Sequence, residues 1–148
     1  MPLSKGDKTP SVIVNGVTSK VTLPFSDSAT VLFFYPTNRG SSCVTEVVDF
    51  DHRLDAFSSL GIKVAGVTTE PVSEVTYLKE SKRLSITLCS DPLGRASDSY
   101  GVRNAYGFAD RYTFLISKEG FVLAVWQAYD TEGHAEAVLR HCRSQRLA

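Results

Sequence analysis

Short apolar runs alternate along the chain with longer segments in which apolar residues recur every three or four positions. A strand buried on both faces is apolar at nearly every position, whereas a helix that covers a sheet carries one apolar stripe. The alternation therefore predicts a central β-sheet covered by helices. Five runs are predicted as central strands buried on both faces, at residues 31–35, 62–67, 86–89, 112–116 and 122–126.

Helical spacing predicts four helices between and after these strands. One apolar stripe from residue 43 to residue 59 predicts a single helix that ends at Gly61, and Pro71 opens a second helix. Residues 96–100 are predicted as a short third helix. The last helix is expected to place four side chains in the core: Ala135, Val138, Leu139 and Cys142.

The turn at residues 118–120 separates the last two predicted strands, which are therefore expected to pair as an antiparallel hairpin. The order β-α-β-α-β-α-β-β-α predicts an α/β protein with a thioredoxin-like fold, in which a mixed sheet is flanked by helices and carries an inserted βα segment. The chain has 148 residues, the usual size of one domain, so residues 1–148 are predicted to form a single domain.

Net charge indicates which classes of partner are excluded, and cysteine content indicates the cellular compartment. Sixteen basic and sixteen acidic residues give a net charge of zero, so no overall field attracts nucleic acid or an anionic membrane. No signal-like apolar run opens the sequence, and none approaches the roughly 20 residues that cross a bilayer. Three widely spaced cysteines do not resemble a secreted disulfide framework. The sequence therefore predicts a cytoplasmic protein with neither nucleic acid nor membrane as a partner.

No metal or nucleotide cofactor is predicted. A nucleotide site would require a phosphate-binding loop or a Gly-x-Gly-x-x-Gly segment, and the sequence has neither. The histidines do not share metal-ligand spacing with one another or with the cysteines: His52, His134 and His141.

The candidate nucleophile is Cys43, which directly follows the strongest predicted strand and starts an amphipathic helix. A free cysteine has a pKa of about 8.5, and a helix N-terminus or a nearby arginine stabilises the thiolate. Unpaired N–H groups of the first helical turn can also donate to a bound oxygen. We therefore expect a reactive thiol with a lowered pKa, although helix position alone is equally compatible with an inert buried thiol.

Residues 34–46 resemble the peroxiredoxin Q family, also called bacterioferritin comigratory proteins. Members carry a strand that ends in Phe-Tyr-Pro, followed by Thr-Pro-Gly-Cys-Thr-x-Glu, and here Pro36, Cys43 and Glu46 match that pattern. The resemblance extends over nearly the whole chain. Further matches lie in the same order at residues 6–10, 90–94, 100–102, 111–116 and 133–135.

This resemblance implies a thiol-dependent peroxidase that reduces hydrogen peroxide or small organic hydroperoxides through a cysteine sulfenic acid. Cys43 is the implied peroxidatic nucleophile, and Arg111 supports its thiolate and the peroxide. Glu46 is implied to orient Arg111, and Pro36 to shield the pocket. A guanidinium suits both tasks because it offers fixed donors with a permanent charge. The expected partners are the hydroperoxide and an external thiol such as thioredoxin or a small thiol, acting on a monomer or weak homodimer.

Two positions depart from the family pattern. The threonine whose hydroxyl contacts the peroxide in the family is replaced by Gly40, which leaves Ser41 and Ser42 as candidate substitutes. Removal of one preorganised donor typically slows such a reaction about a hundredfold or more. Many members also carry a resolving cysteine five residues after the first, where this chain has Val48.

Cys89 and Cys142 remain as possible resolving thiols, although each is more typical of a buried core residue. A disulfide oxidoreductase is disfavoured because the chain has no Cys-x-x-Cys. Two alternatives stay open at this point. The first is that Glu46 and Arg111 form a purely structural ion pair. The second is that the chain is a redox sensor or interaction module that has lost efficient peroxidase turnover.

Overall fold

The computed structural model describes residues 1–128 and 130–145. The strands are β1 (Val12–Asn15), β2 (Lys20–Leu23), β3 (Ala29–Phe34), β4 (Ile62–Thr68), β5 (Thr87–Ser90), β6 (Tyr112–Ile116) and β7 (Val122–Gln127). The helices are α1 (Ser41–Asp51), α2 (Leu54–Ser59), α3 (Val72–Lys82), α4 (Arg95–Ser99) and α5 (His134–Gln145). No helix in these described ranges is long and apolar enough to cross a membrane.

The strands form one seven-stranded sheet in the order β2-β1-β5-β4-β3-β6-β7. Strands β3, β4 and β5 are parallel, whereas β6 is antiparallel to both β3 and β7. The predicted mixed sheet and the hairpin near its end are thereby confirmed. The α/β thioredoxin-like fold is confirmed as well.

Alternation along the central strands creates a core on each side of the sheet. In β3, Val31 and Phe33 contribute to one core, while Leu32 and Phe34 contribute to the other. Helices α1, α2, α3 and α5 cover the first core, and α4 covers part of the second. Because β3 is completely buried, its C-terminal end is a rigid base for the segment that follows.

Strand pairing brings three separate segments together at that end of β3. Phe34 lies opposite Val67 on β4 and opposite Tyr112 on β6. The loop after β3, the connection after β4 and the residue that precedes β6 therefore meet at one edge of the sheet. This edge holds the candidate functional residues.

The prediction of one helix between β3 and β4 is wrong in detail. The single helix predicted over residues 43–59 is two helices, because Asp51 accepts hydrogen bonds from the backbone N–H groups of Ser85 and Ile86, and Arg53 bonds to Glu136. These contacts turn the chain between α1 and α2. Gly61, with φ of 75°, follows α2 as predicted.

The edges of the sheet also differ from the prediction. Strand β7 is an edge strand whose side chains are mostly half-exposed, so it is not buried on both faces. Strands β1 and β2 were not predicted. Their burial patterns leave only Val14 and Leu23 inside, so the sequence carries too few apolar positions to reveal them.

Candidate active site

Cys43 lies in the first turn of α1, directly beyond the buried end of β3, and its side chain has no exposed surface. The residue before the helix, Gly40, has an extended conformation and supplies no capping side chain. The N–H groups of residues 41–43 therefore have no partner within the helix. The geometry places Cys43 at the positive end of a helix dipole.

Two further groups act directly on the Cys43 sulfur. Burial raises the pKa of Cys43, the backbone N–H of Thr37 and the guanidinium of Arg111 lower it, and the Glu46 carboxylate raises it. Burial is the largest of these influences, so the pKa of Cys43 lies above its ordinary value. The expectation of a pKa below that of a free thiol is wrong here because desolvation of a fully buried sulfur outweighs its donors.

Glu46 lies one turn after Cys43 on the same face of α1 and is 1% exposed. Burial raises the pKa of Glu46 to about 7, although the charge of Arg111 lowers it in part. Neither carboxylate oxygen of Glu46 has a hydrogen-bond partner among the described residues, and the same is true of Nη1 of Arg111. The two side chains therefore attract each other electrostatically without bonding directly. Their buried polar atoms keep capacity for a small polar ligand.

Arg111 opens onto a pocket of about 370 Å³ that is also lined by Pro36. Its other lining residues come from the segment before β6 and from the end of β7: Asn104, Phe108, Ala109, Asp110, Gln127 and Ala128. The pocket has the size for a small molecule whose reactive end faces Arg111. Pro36 lies at its wall.

The serine candidates lie elsewhere. Ser41 and Ser42 are exposed, and among the described residues neither lines the pocket of Pro36 and Arg111. Ser41 instead borders a separate groove together with Tyr77 and Leu78. Thr37 was missed from the sequence, because a backbone N–H leaves no signature in the residue type.

The sequence profile of the AhpC/TSA family matches residues 6–125. The chain belongs to the AhpC/TSA family. It is a peroxiredoxin, a thiol-dependent peroxidase, and the recognised resemblance to the peroxiredoxin Q type is confirmed. Among its relatives, peroxiredoxin Bcp of Xanthomonas campestris is 35% identical over 116 residues, covering 74% of this chain and 72% of the relative.

Solved structures of the same class superimpose on this peroxiredoxin. Peroxidoxin BcpB of Mycobacterium tuberculosis matches with a TM-score of 0.88 and 27% identity, covering 97% of this chain and 98% of that one. A bacterioferritin comigratory protein of Xanthomonas campestris, solved in a study of its alkyl peroxide reduction, matches with a TM-score of 0.84 and 26% identity over 91% and 92% of the two chains.

The other two thiols of this peroxiredoxin are free and buried. Cys89 belongs to the core on the opposite side of the sheet from Cys43, and burial raises its pKa to about 12. Cys142 shares the core of Cys43, and burial raises its pKa to about 11. Cys142 lies eight residues after the first residue of α5, so about 12 Å of helix separates it from the N-terminal end of α5.

No group of three or more histidine, cysteine or carboxylate side chains in residues 1–128 and 130–145 is arranged to hold a metal ion. His134 is engaged instead by Thr113, whose hydroxyl oxygen lies 2.8 Å from the ring Nε2.

Proposed function

We propose that Cys43 is the peroxidatic nucleophile, with Arg111 as the cation that stabilises its thiolate and the reacting peroxide. One observation carries this assignment. The Arg111 guanidinium and the Thr37 N–H both act on the sulfur of Cys43, which lies in the first turn of α1. Neither Cys89 nor Cys142 has a comparable set of donors, since their pKa values are governed by burial.

In the first half of the cycle, the Cys43 thiolate attacks the distal oxygen of the hydroperoxide. An S–O bond forms and the O–O bond breaks, so that sulfur is oxidised to a sulfenic acid and the peroxide is reduced. The leaving oxygen takes up a proton and departs as water or an alcohol. Arg111 and the N–H donors stabilise the negative charge on the breaking O–O bond.

Glu46 acts on Arg111 through its charge rather than through a direct bond. Its negative charge opposes formation of the Cys43 thiolate, whereas Arg111 favours it. Because Gly40 brings no hydroxyl and Ser41 and Ser42 are exposed, backbone N–H groups supply the remaining donors. The pocket beside Pro36 accepts the organic group of a small alkyl hydroperoxide, the class of activity named for the Xanthomonas relative.

In the second half, an external thiol attacks the sulfenic sulfur, forming a mixed disulfide and releasing water. A second external thiol group then attacks the mixed disulfide. The Cys43 thiol is released, and the two external sulfurs leave joined as a disulfide. Thioredoxin or a small cytoplasmic thiol serves this role, with the enzyme acting as a monomer or weak homodimer.

One continuous sheet of all seven strands supports a single domain over residues 1–148.

The decisive experiment measures hydrogen peroxide and cumene hydroperoxide consumption with thioredoxin, its reductase and NADPH. Wild type should turn over, Cys43→Ser should lose all activity, and the matched controls Cys89→Ser and Cys142→Ser should retain it. Activity that persists in Cys43→Ser would show that the nucleophile is a different thiol. Activity that is lost only in a folded control variant would show the same.

A redox sensor is the second candidate, favoured by the raised pKa of Cys43 and by the absence of a hydroxyl at Gly40. A sensor would consume about one equivalent of peroxide per chain and then stop even with reductant present. Continued consumption over many equivalents would instead support the peroxidase.

A further inference from the structure

The loop of residues 36–40, here called the catalytic loop, is tied to a single carboxylate on the neighbouring strand connection. Oε1 of Glu70 accepts hydrogen bonds from the backbone N–H of Asn38 at 2.6 Å and from its side-chain Nδ2 at 2.8 Å. Oε2 of Glu70 accepts a hydrogen bond from the hydroxyl of Thr37 at 3.0 Å. One side chain thus holds two consecutive residues of the catalytic loop.

Glu70 is itself fixed by its surroundings. Its carbonyl oxygen accepts a hydrogen bond from the Ser90 hydroxyl at 2.5 Å, and its N–H donates to Oγ1 of Thr68 at 3.3 Å. The Thr68 hydroxyl donates in turn to the carbonyl oxygen of Pro36 at 3.4 Å. The last residue of β4 and the connection after it therefore bind three successive residues of the catalytic loop.

Asn38 completes this network from within the core. It is 1% exposed, and its Oδ1 accepts a hydrogen bond from the Tyr35 hydroxyl at 2.8 Å. A buried network in which the side-chain groups are satisfied is rigid, because any movement would leave polar atoms without partners. The network therefore selects one conformation of the catalytic loop.

That conformation places Thr37 against the nucleophile. The N–H of Thr37 lowers the pKa of Cys43, while the Thr37 methyl group lies 3.1 Å from the position that a Cβ on Gly40 would occupy. The same Cβ position is 4.0 Å from the Cys43 sulfur. Thr37 thus fills part of the space above Cys43, and its orientation is fixed by bonds to Glu70 on its own side chain and on the next residue.

We infer that Glu70 is a positioning residue of the peroxidase, which fixes the catalytic loop so that the Thr37 N–H points at the Cys43 sulfur. This inference rests on the proposed role of Cys43 as nucleophile. Glu70 does not touch the sulfur and acts only through Thr37 and Asn38. Its contribution is enlarged here because Gly40 provides no side-chain donor, which leaves the backbone N–H groups as the preorganised donors on that side.

A second carboxylate on the same side of the molecule provides a comparison. Glu74 binds the Arg39 guanidinium with two contacts of 2.9 Å, but Arg39 is 56% exposed and the pair lies at the surface. Exposed ion pairs contribute little to the position of the backbone. Glu80 lies on the same helix, α3, and is exposed, so Glu80→Gln removes one charge without touching the catalytic loop.

Charge and position predict opposite effects of removing Glu70. A carboxylate near a thiol opposes thiolate formation, so the loss of its charge alone would lower the pKa of Cys43. Loss of the hold on Thr37 would weaken a donor to the thiolate and raise that pKa. The direction of the change therefore separates a positioning role from a simple electrostatic one.

The experiment measures the pKa of Cys43 from the pH dependence of its alkylation by iodoacetamide, followed on the Cys43 peptide by mass spectrometry. The rate constant with hydrogen peroxide is measured in parallel at a pH where the thiol is ionised. Glu70→Ala should raise the pKa and slow the peroxide reaction about tenfold to a hundredfold through misplacement of the donor. Glu80→Gln should change neither the pKa of Cys43 nor the rate constant with hydrogen peroxide. Glu74→Gln should change both much less than the loss of Glu70 does.

Conservative variants keep the test decisive even if Glu70→Ala does not fold. Glu70→Gln retains the length and an oxygen acceptor for Asn38 N–H, whereas Glu70→Asp retains the charge but withdraws it by one methylene. Positioning predicts that Gln preserves more of the peroxide rate than Asp. A rate preserved better by Asp than by Gln, or a pKa that falls in Glu70→Ala, would overturn the inference.

Coupling between the partners supplies an independent readout. If Glu70 acts through Asn38, the double variant Asn38→Ala with Glu70→Ala should lose no more rate than the worse single variant. Rate losses that multiply would contradict it. Failure of Cys43→Ser to abolish the peroxide reaction would instead refute the proposed function, and the two failures are therefore distinguishable.

Discussion

Cys43 and Cys89 are both fully buried, yet they belong to cores on opposite sides of the same sheet. A disulfide requires Cα atoms within about 7 Å and side chains that point toward each other. Formation of this pair would therefore require the central strands to separate. We therefore expect a thiol from outside, rather than Cys89, to recycle the oxidised enzyme.

We expect one equivalent of hydrogen peroxide to convert Cys43 into a sulfenic acid that dimedone traps and that added thiol converts into a mixed disulfide. Peptide mass spectrometry identifies the product. Cys142→Ser serves as a control for the remaining internal partner. A stoichiometric disulfide between Cys43 and either internal cysteine would contradict the one-cysteine cycle.

Arg111 and Glu46 should shift the pKa of Cys43 in opposite directions. Arg111→Met removes a cation and a hydrogen bond and should raise it, whereas Glu46→Gln removes a like charge and should lower it. Alkylation rates measured against pH report both values. Arg111→Met should also slow the peroxide reaction about a hundredfold or more. Indistinguishable titration curves for wild type and Arg111→Met would remove Arg111 from the site.

Glu46 should make stability depend on pH between its unfolded and folded pKa values. Its ordinary value is 4.5 and burial raises it to about 7. Because the folded state holds this proton more tightly, stability is fully present below pH 4.5 and falls as pH rises toward 7. The loss is about 3 kcal/mol from this group.

Urea unfolding of wild type and Glu46→Gln at several pH values isolates this contribution. The variant has no carboxyl proton to lose at this position, so the difference in free energy of unfolding between the two proteins should change over this pH range. A difference that stays constant with pH would mean that the pKa of Glu46 is the same in the folded and the unfolded protein.

Restoration of the family's threonine requires room as well as a suitable backbone. Gly40 has φ of −74° and ψ of 138°, which any L-residue adopts, but a new Cβ would lie 3.1 Å from the Thr37 methyl group. Gly40→Thr alone should therefore gain little. Gly40→Thr combined with Thr37→Ser removes the obstructing methyl while keeping the hydroxyl that bonds to Glu70, and peroxide reactivity should rise.

The two single variants and the double variant should be compared by the rate constant with hydrogen peroxide and by thermal unfolding. Thr37→Ser alone is the matched control, since it changes the space above Cys43 without adding a donor. No gain in a stable double variant would show that the backbone donors already supply what the threonine hydroxyl provides in relatives.

The central fold could be predicted because its signals are local and strong. Strand β3 is buried at every position, and such a strand can be recognised from apolar residues alone. The break between α1 and α2 could not be predicted in this way, because it depends on bonds from Asp51 to a loop more than thirty residues away. Amphipathic spacing continues across that break and conceals it.

The candidate site was predictable to the extent that its members carry distinctive side chains. Cys43, Glu46 and Arg111 were predicted through their motif, whereas Thr37 contributes a backbone N–H and Glu70 contributes through contacts across the loop. The net effect on the thiol was also beyond the sequence. Motif and helix position predict a lowered pKa, but the degree of burial decides its final direction.

The complete enclosure of Cys43 imposes different access requirements on the two reactants. We expect a small hydroperoxide to enter by the pocket of Pro36 and Arg111, whereas a reductant must bring its own sulfur to about 2 Å from that of Cys43. The first turn of α1 has to loosen for this to occur, and helix ends open more readily than helix centres. The recycling rate should therefore level off at high reductant concentration, at a ceiling set by how often that turn opens. Reductants of very different affinity would share the same ceiling.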